Sequence, residues 1–364
     1  MSADRDQPAP FRLVVMPGEG VGPEVTAEGL RIFTAAARAF GVRAKIETFD
    51  VGEEMLARTG RPWPIEAEAA CDAARASGHG AILFGSVVDE PIGILRKQYD
   101  LFANLRPIRT SERLIGMSPL RPERASGVDM LIVRELVGDV YYGEAREGVD
   151  ADGAWATQEM RYHERDVRRI VRVGLHHASR RRNKLVVVHK GNVIKGIFGM
   201  WLRILAEEAR AYPGVETRDI LVDNMAMQCV LRPREFDVVL CSNMFGDILS
   251  DIGAGLVGSL GLLPSASRDE SGFALYEPVG GTAPDIAGRD IANPIASILS
   301  VALLWRYSLD NDAAARAIEK ATEDVLASHR TADIMEPGTE RVSTRRMGEL
   351  IERRLIETTP RDRT

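Results

Sequence analysis

The stretch "FDVVLCSNMFGDILSDIGAGLVG" (Phe236–Gly258) sets the frame for the chain. It opens on a short apolar run, read as a buried strand, and passes through polar residues into apolar positions at helical spacing. Asp247 and Asp251 lie four residues apart in the helical half. That spacing puts both carboxylates on one face, about one turn apart. Two like charges so placed cost roughly 0.2–0.5 kcal/mol even when exposed. The apolar, glycine-rich surroundings predict burial and a larger cost, so something must offset the repulsion.

The same strand-to-helix pattern runs outward in both directions. Upstream, "FRLVVMP" (11–17), "RAKIETFDV" (43–51) and "GAILFGSV" (80–87) read as strands. Between them, "GPEVTAEGLRIFTAAARAFG" (22–41) reads as a helix, with Pro23 near its start and Gly41 past its end. "IEAEAACDAARASG" (65–78) is a second helix. Further on, "VDMLIVREL" (128–136) and "DVYYGEAREG" (139–148) are strand-like, and "KLVVVHKGNV" (184–193) is a strand with a polar end. "FGMWLRILAEEARAYP" (198–213) is a helix, and "TRDILVDNMAMQCVLRP" (217–233) runs from strand to helix. The tail reads as helical from Pro294 to about His329, and again from Thr344 to about Ile356. The fold class is α/β.

Composition excludes several function classes. The 364 residues allow one or two domains, and 45 % hydrophobic with 27 % charged residues is ordinary for a globular protein. A net charge of -6 gives no reason to expect nucleic acid or anionic membrane as a partner. Cys71, Cys229 and Cys241 are odd in number and scattered, so they read as reduced thiols in a cytoplasmic protein. The start of the chain, "MSADRDQPAPF", has no apolar run after a basic segment and predicts no signal peptide. The longest apolar run, Ile295–Trp305, is too short for a bilayer and reads as a buried helix. Both ends, "MSADRDQPAP" and "TTPRDRT", are expected to fray.

Several residues stand where chemistry is usually placed. "MPGEGVGPE" (16–24) is a glycine-rich loop, but its glycines do not fit G-x-G-x-x-G, so it does not mark a Rossmann domain. The arginines of "ERDVRRIVRVGLHHASRRRNK" (164–184) read as the solvated face of an amphipathic helix whose stripe is Val167, Ile170, Val171, Gly174, Leu175 and Ala178. Arg134 ends a buried strand and reads either as an anion clamp or as a salt bridge to Glu135 or another acid. Lys190 follows a buried strand, where a desolvated lysine can act as a base. Asp223 and Asp247 also follow apolar strands, and ligands of open α/β sheets collect at such carboxyl ends. Three carboxylates without a cysteine or histidine cluster point to a hard divalent ion, Mg²⁺ or Mn²⁺. Such a cation would offset the repulsion between Asp247 and Asp251.

"LRKQYDLFANLRP" (95–107), "VRELVGDVYYGEAREG" (133–148), "VDNMAMQ" (222–228), "NMFGDILSDIGAGLVGSLGLLPSAS" (243–267) and "YEPVGGTAPDIAGRDIANPIASILSVALL" (276–304) together resemble the β-decarboxylating dehydrogenases. The resemblance runs from about Leu13 to Ile356 and is greatest to the isopropylmalate branch. It implies the isopropylmalate/isocitrate dehydrogenase-like two-domain α/β/α fold, not a Rossmann fold. One domain would comprise residues 1–101 and 258–364, the other 102–257 with a dimer arm at about 141–162. It implies a homodimer with shared active sites in a cleft between the domains. Arg96, Arg106 and Arg134 would grip the carboxylates of a malate core. Asp247 and Asp251, with Asp223 from the second subunit, would hold the metal. Lys190, also from that subunit, would take the hydroxyl proton, and Tyr141 would protonate C3 after decarboxylation. Glu277, Gly280, Gly281, Thr282, Ala283, Asp285, Ile286 and Asn293 would form the cofactor loop. An acid at Asp285 would accept ribose hydroxyls and repel a 2′-phosphate, implying NAD over NADP. The implied reaction is metal- and NAD-dependent oxidative decarboxylation of a 3-substituted malate, with 3-isopropylmalate leading to 4-methyl-2-oxopentanoate and leucine.

Departures from the pattern bear on the substrate. "GSVVDEPIGILRK" (85–97) lacks a longer loop usual in the family, and Ile92 and Gly93 replace two leucines that face the isopropyl group. "HKGNV" (189–193) resembles the isocitrate and homoisocitrate enzymes more than "DKANV". Gly280 stands where histidine is common. A paralogue acting on another 3-substituted malate is the alternative, and a non-catalytic nucleotide-binding homologue a remote one.

Overall fold

The structure is a computed structural model describing residues 9–88 and 90–359. Most of the two ends expected to fray, and Asp89 of the short loop, lie outside the described residues. The chain begins with β1 (Phe11–Met16), α1 (Gly22–Ala39), β2 (Ala44–Thr48), α2 (Glu53–Thr59), α3 (Ile65–Ala76), β3 (Gly80–Phe84) and α4 (Glu90–Gln98). Next come β4 (Ala103–Arg109), α5 (Pro122–Ala125), β5 (Asp129–Glu135), β6 (Ala145–Asp150), β7 (Gly153–Gln158) and α6 (Glu164–Ser179). They are followed by β8 (Lys184–His189), α7 (Lys195–Glu208), β9 (Glu216–Leu221), α8 (Val222–Leu231), β10 (Val238–Cys241) and α9 (Asn243–Val257). The last strands and α-helices of three residues or more are β11 (Pro264–Arg268), β12 (Ala274–Pro278), α10 (Ile295–Tyr307), α11 (Asp312–Leu326) and α12 (Thr344–Thr358).

Two compact units result. The first is built from the chain up to Leu95 and from Ser259 onward. Its strands run in the order β2-β1-β3-β12-β11, parallel except for β11. The hairpin strand β11 is polar in sequence yet buried, with Ser265 and Ser267 fully covered. α10 is buried nearly all round, from Ile295 to Trp305, as a run apolar but for Ser297 and Ser300 requires. The long helix expected from Pro294 to His329 is in fact two helices. Asp310 adopts a left-handed φ of 47°, and the Asn311 side chain accepts from Ala314 N at 2.9 Å, starting α11 afresh. The loop of residues 16–24 is a close-packed βα turn. A Cβ at Gly20 would lie 2.0 Å from the Thr282 carbonyl oxygen, and Val21 N donates to that oxygen at 2.8 Å.

The second unit, Arg96–Gly258, has the strand order β4-β5-β10-β8-β9. β4 is antiparallel to β5, and the other pairings are parallel. Parallel strands covered on both faces read as apolar runs, which is why β5, β8 and β10 were legible. β6 and β7 form a separate antiparallel ribbon, with Val149 81 % and Trp155 42 % exposed. The predicted strand over residues 139–148 is shorter than expected, because Val140–Glu144 turn and only Ala145 onward pairs in the ribbon. On α6 the expected apolar stripe is buried, and Arg168 bonds Glu164, Glu207 and Glu208. Its arginines serve intramolecular pairs. The three cysteines are buried thiols, none of them in a disulfide. Among the described residues, no helix is long and apolar enough to cross a membrane.

Candidate active site

The polar end of the second unit is assembled by register. In the β4–β5 pair Arg106 lies opposite Ile132, and Asn104 opposite Arg134. Side chains two apart on a strand share a face, so both arginines point to the face covered by α9. The helix comes close because Gly246 has no side chain. A Cβ there would lie 2.7 Å from Cβ and Cγ of Arg134.

Asp247 is the centre of this cluster. Its Oδ1 accepts from Nη1 of Arg134, in a short contact, and from Nη1 of Arg106 at 3.2 Å. Its Oδ2 accepts from the Tyr141 hydroxyl at 2.7 Å. Arg106 also donates to Ser250 Oγ at 2.6 Å. Burial pushes the Asp247 carboxyl up, but Arg134, the tyrosine hydrogen bond and the charges of Arg106 and Arg96 outweigh it and hold it below the usual range. Arg134 is buried and pushed down to about 10 by desolvation and by Arg106, with Asp247 opposing. Burial and Asp247 raise Tyr141 to about 12, so its hydroxyl keeps its proton at neutral pH. Of the two readings of Arg134, the partner it has is Asp247. Glu135 points elsewhere and accepts from Val137 N at 2.7 Å and Gly138 N at 2.9 Å.

The burial expected for both acids is only half met. Asp247 is half-buried and Asp251 exposed: Asp247 lies at the margin of the packed face of α9 and reaches the strand arginines, while Asp251 faces solvent with Ile248 and Gly255. Desolvation still raises the Asp251 carboxyl, with Asp247 adding to the rise and Arg106 opposing it. Arginine, rather than a cation alone, thus offsets the negative charge at Asp247.

Lys190 and Asp223 form a separate pair. Lys190 follows β8, Asp223 lies in the first turn of α8, and Nζ donates to Oδ1 at 2.8 Å. That bond holds the Asp223 carboxyl low. Among the described residues no three of histidine, cysteine, aspartate or glutamate come together as a metal set. Of the three carboxylates expected as ligands, Asp247 and Asp251 lie one turn apart on α9, and Asp223 is not grouped with them within one chain among the described residues.

The remaining predicted positions lie in the first unit or at its edge. Ile92 is half-buried on α4, one turn ahead of Arg96, and a Cβ at Gly93 would meet nothing within 4 Å. Glu277 is the last residue but one of β12, buried. Gly280 and Gly281 have open space where a Cβ would stand. Thr282 contacts the Gly20 turn, and Ala283 and Ile286 pack against Val21, Val25 and Ala292. Asp285 is exposed, and no partner for its carboxylate exists among the described residues. Asn293 is used structurally: Nδ2 donates to Asp333 at 3.0 Å and Oδ1 accepts from Ile295 N at 3.0 Å.

Sequence reading missed Ser250, Asn243, Asp139 and Tyr162. Each is polar and buried beside the arginines or at the start of α9. Ser250 was detectable in principle, because it lies three residues after Asp247 on the same helix.

Residues 12–351 match the family described as isocitrate/isopropylmalate dehydrogenase. The chain belongs to the isocitrate/isopropylmalate dehydrogenase family. As a member it is an oxidoreductase, a decarboxylating dehydrogenase. It is 43 % identical to a protein named 3-isopropylmalate dehydrogenase from Pectobacterium atrosepticum, over 94 % of this chain and 97 % of that one. It is 42 % identical to the Escherichia coli K12 protein of the same name, over 95 % and 98 %. Among solved structures, isocitrate dehydrogenase from Methylococcus capsulatus superimposes with a TM-score of 0.84 at 31 % identity, covering 95 % of this chain and 99 % of that one. The TT0538 protein from Thermus thermophilus gives 0.82 at 31 % identity, covering 96 % and 69 %.

The buried acid beside this family site carries a pH prediction. Burial raises the Glu135 carboxyl from 4.5 to about 7, against hydrogen bonds from the backbone of Val137 and Gly138 and from the Tyr162 side chain that lower it. The folded protein then holds a proton that the unfolded chain releases between these values. Its stabilisation is full below pH 4.5 and is lost as pH rises through 7, about 3 kcal/mol in all. Urea midpoints from pH 5 to 8 should fall in the wild type and flatten in Glu135→Gln.

Proposed function

We propose that this chain catalyses NAD-dependent oxidative decarboxylation of a 3-substituted malate, assisted by Mg²⁺ or Mn²⁺, with 3-isopropylmalate the leading substrate. The carrying observation is the convergence of Arg106, Arg134 and Tyr141 on Asp247. Two buried guanidiniums beside a protonated tyrosine suit a dicarboxylate whose carbon skeleton must receive a proton. The relatives named 3-isopropylmalate dehydrogenase support the choice of substrate.

The residues fit the cofactors. Asp247 and Asp251 supply hard oxygen donors one helical turn apart, as Mg²⁺ or Mn²⁺ requires. Asp223 of a second copy would complete the set. The ion, when bound, supplies Lewis acidity toward the substrate's hydroxyl and developing enolate. Asp285 offers a free carboxylate to the ribose diol of NAD, and Gly280 and Gly281 leave room beside it. NAD, when bound, accepts the hydride. Arg96, Arg106 and Arg134 orient the substrate's carboxylates. Lys190, from the second copy, takes the hydroxyl proton, and Tyr141 delivers a proton to C3 once carbon dioxide has left.

A homodimer follows from this division. Met227, Val230 and Leu231 of α8 and Ile248 of α9 leave apolar side chains 42–55 % exposed. Such a surface suits a second copy of the chain.

The test is NADH formation with Mn²⁺, comparing 3-isopropylmalate with malate, isocitrate, homoisocitrate, tartrate and larger 3-alkyl or 3-aryl malates. The highest kcat/KM should belong to isopropylmalate, and NAD should be preferred over NADP. The open space at Gly93 favours a second reading, in which a bulkier C3 substituent is the natural one. A larger malate winning by about tenfold, or 1.4 kcal/mol, would establish it. Absence of turnover with every malate would overturn both.

A further inference from the structure

Behind Arg134 lies a buried polar brace that the reaction as proposed does not use. Asn243 opens α9 and is 2 % exposed. Its Oδ1 accepts from Arg134 Nε at 2.9 Å, and its Nδ2 donates to the Gly138 carbonyl at 3.3 Å. Its backbone N–H donates to the Tyr162 hydroxyl at 3.0 Å. That hydroxyl donates in turn to Asp139 Oδ2 at 3.2 Å.

Asp139 ties two functional segments together. Its Oδ2 also accepts from Met244 N at 3.1 Å, in the first turn of the helix that carries Asp247. Its Oδ1 accepts from Val140 N at 2.8 Å, next to Tyr141. Tyr162 is clamped by a T-shaped contact with Trp201 at 5.3 Å and by Gly138, where a Cβ would lie 2.4 Å from its ring.

The consequence falls on Arg134. Nε is bound by Asn243 and Nη1 by Asp247, which fixes the plane of the guanidinium. Nη2 is left without a hydrogen-bond partner among the described residues. A planar fork held at two of its nitrogens offers the third in one direction only.

We propose that Asn243, held by Tyr162, is a positioning residue that presents Arg134 Nη2 to a substrate carboxylate. This rests on the malate reading of the site. Nothing in the brace touches the reacting atoms, so Asn243 acts through the arginine. Its loss should weaken substrate binding more than it slows turnover.

The experiment is steady-state kinetics on the full-length enzyme with the best malate found for the wild type. Wild-type turnover tests the functional reading by itself. Asn243→Ala should raise the malate KM about tenfold or more, as loss of a hydrogen bond to a charged group does, with the NAD KM unchanged. Asn243→Asp retains an acceptor for Nε and should recover part of that loss. Tyr162→Phe keeps the ring on Trp201 and removes only the hydroxyl; it should raise the malate KM in the same sense by a smaller factor. This variant carries the test if Asn243→Ala does not fold. A merely structural role would lower stability and the active fraction without moving the malate KM. Malate KM values within about twofold of wild type in the folded variants would overturn the inference while leaving the malate reading intact.

Discussion

Replacing Lys190 by methionine is expected to lower kcat by about a hundred- to ten-thousandfold, the range for loss of a positioned general base, while leaving stability unchanged. Methionine is unbranched and of similar reach, so little packing is lost. The ammonium is partly open to solvent, and its carboxylate partner, Asp223, is 63 % exposed. Exposed ion pairs contribute little to folding. The thermal midpoint should therefore stay at the wild-type value. Wild-type kcat in Lys190→Met would remove this residue from the chemistry.

Asp247→Asn should also eliminate turnover, but here stability should fall as well. The Arg134 and Arg106 side chains are 3 % and 8 % exposed, and both donate to Asp247. Asparagine keeps the shape and removes the charge that faces them. Breaking a buried pair costs roughly 3–5 kcal/mol; with Asp247 itself a third open to solvent, about 1–3 kcal/mol is expected. A lower urea midpoint would show it. Mn²⁺ should raise the thermal midpoint of the wild type and not of this variant, because a ligand stabilises only the state that binds it. Equal midpoints, or equal responses to Mn²⁺, would separate Asp247 from the arginines or from the metal.

The two variants together test whether sites are shared. In a mixed dimer, one site combines Asp247 from the Lys190→Met chain with Lys190 from the Asp247→Asn chain. Random exchange of subunits then restores about a quarter of wild-type activity, since half the dimers are mixed and each holds one intact site. No recovery on mixing would place Lys190 and Asp247 in the same chain's site.

The elements that the sequence reveals are those whose environment is uniform. β5, β8 and β10 are covered on both faces and carry apolar runs, Met130–Val133, Leu185–Val188 and Val238–Cys241, while α6 and α10 announce themselves by a stripe and by a long, largely apolar run. β4 went unread because "ANLRPIR" carries Arg106 and Pro107 inside a buried strand, and β11 because it buries serine. Propensity argues against both, and neighbouring strands override it. The break between α10 and α11 turned on one left-handed residue and one cap, a signal of two positions within a long helical pattern.

The candidate site divides in the same way. Sequence alone determined the α/β class, the pairing of Asp247 with Asp251 on one helix face, and the placement of Arg134, Lys190 and Asp223 at strand ends. These are local properties, set by periodicity and by residue type at the end of an apolar run. Only the tertiary structure decided that Asp247 is met by Arg134, Arg106 and Tyr141, that Glu135 turns away, and that Asn243 and Tyr162 stand behind the arginine. Those partners come from segments about a hundred positions or more apart in the chain. Strand register and the close approach of α9 at Gly246 bring them together, and the choice of counter-charge for a buried guanidinium is made by whichever carboxylate the packing delivers.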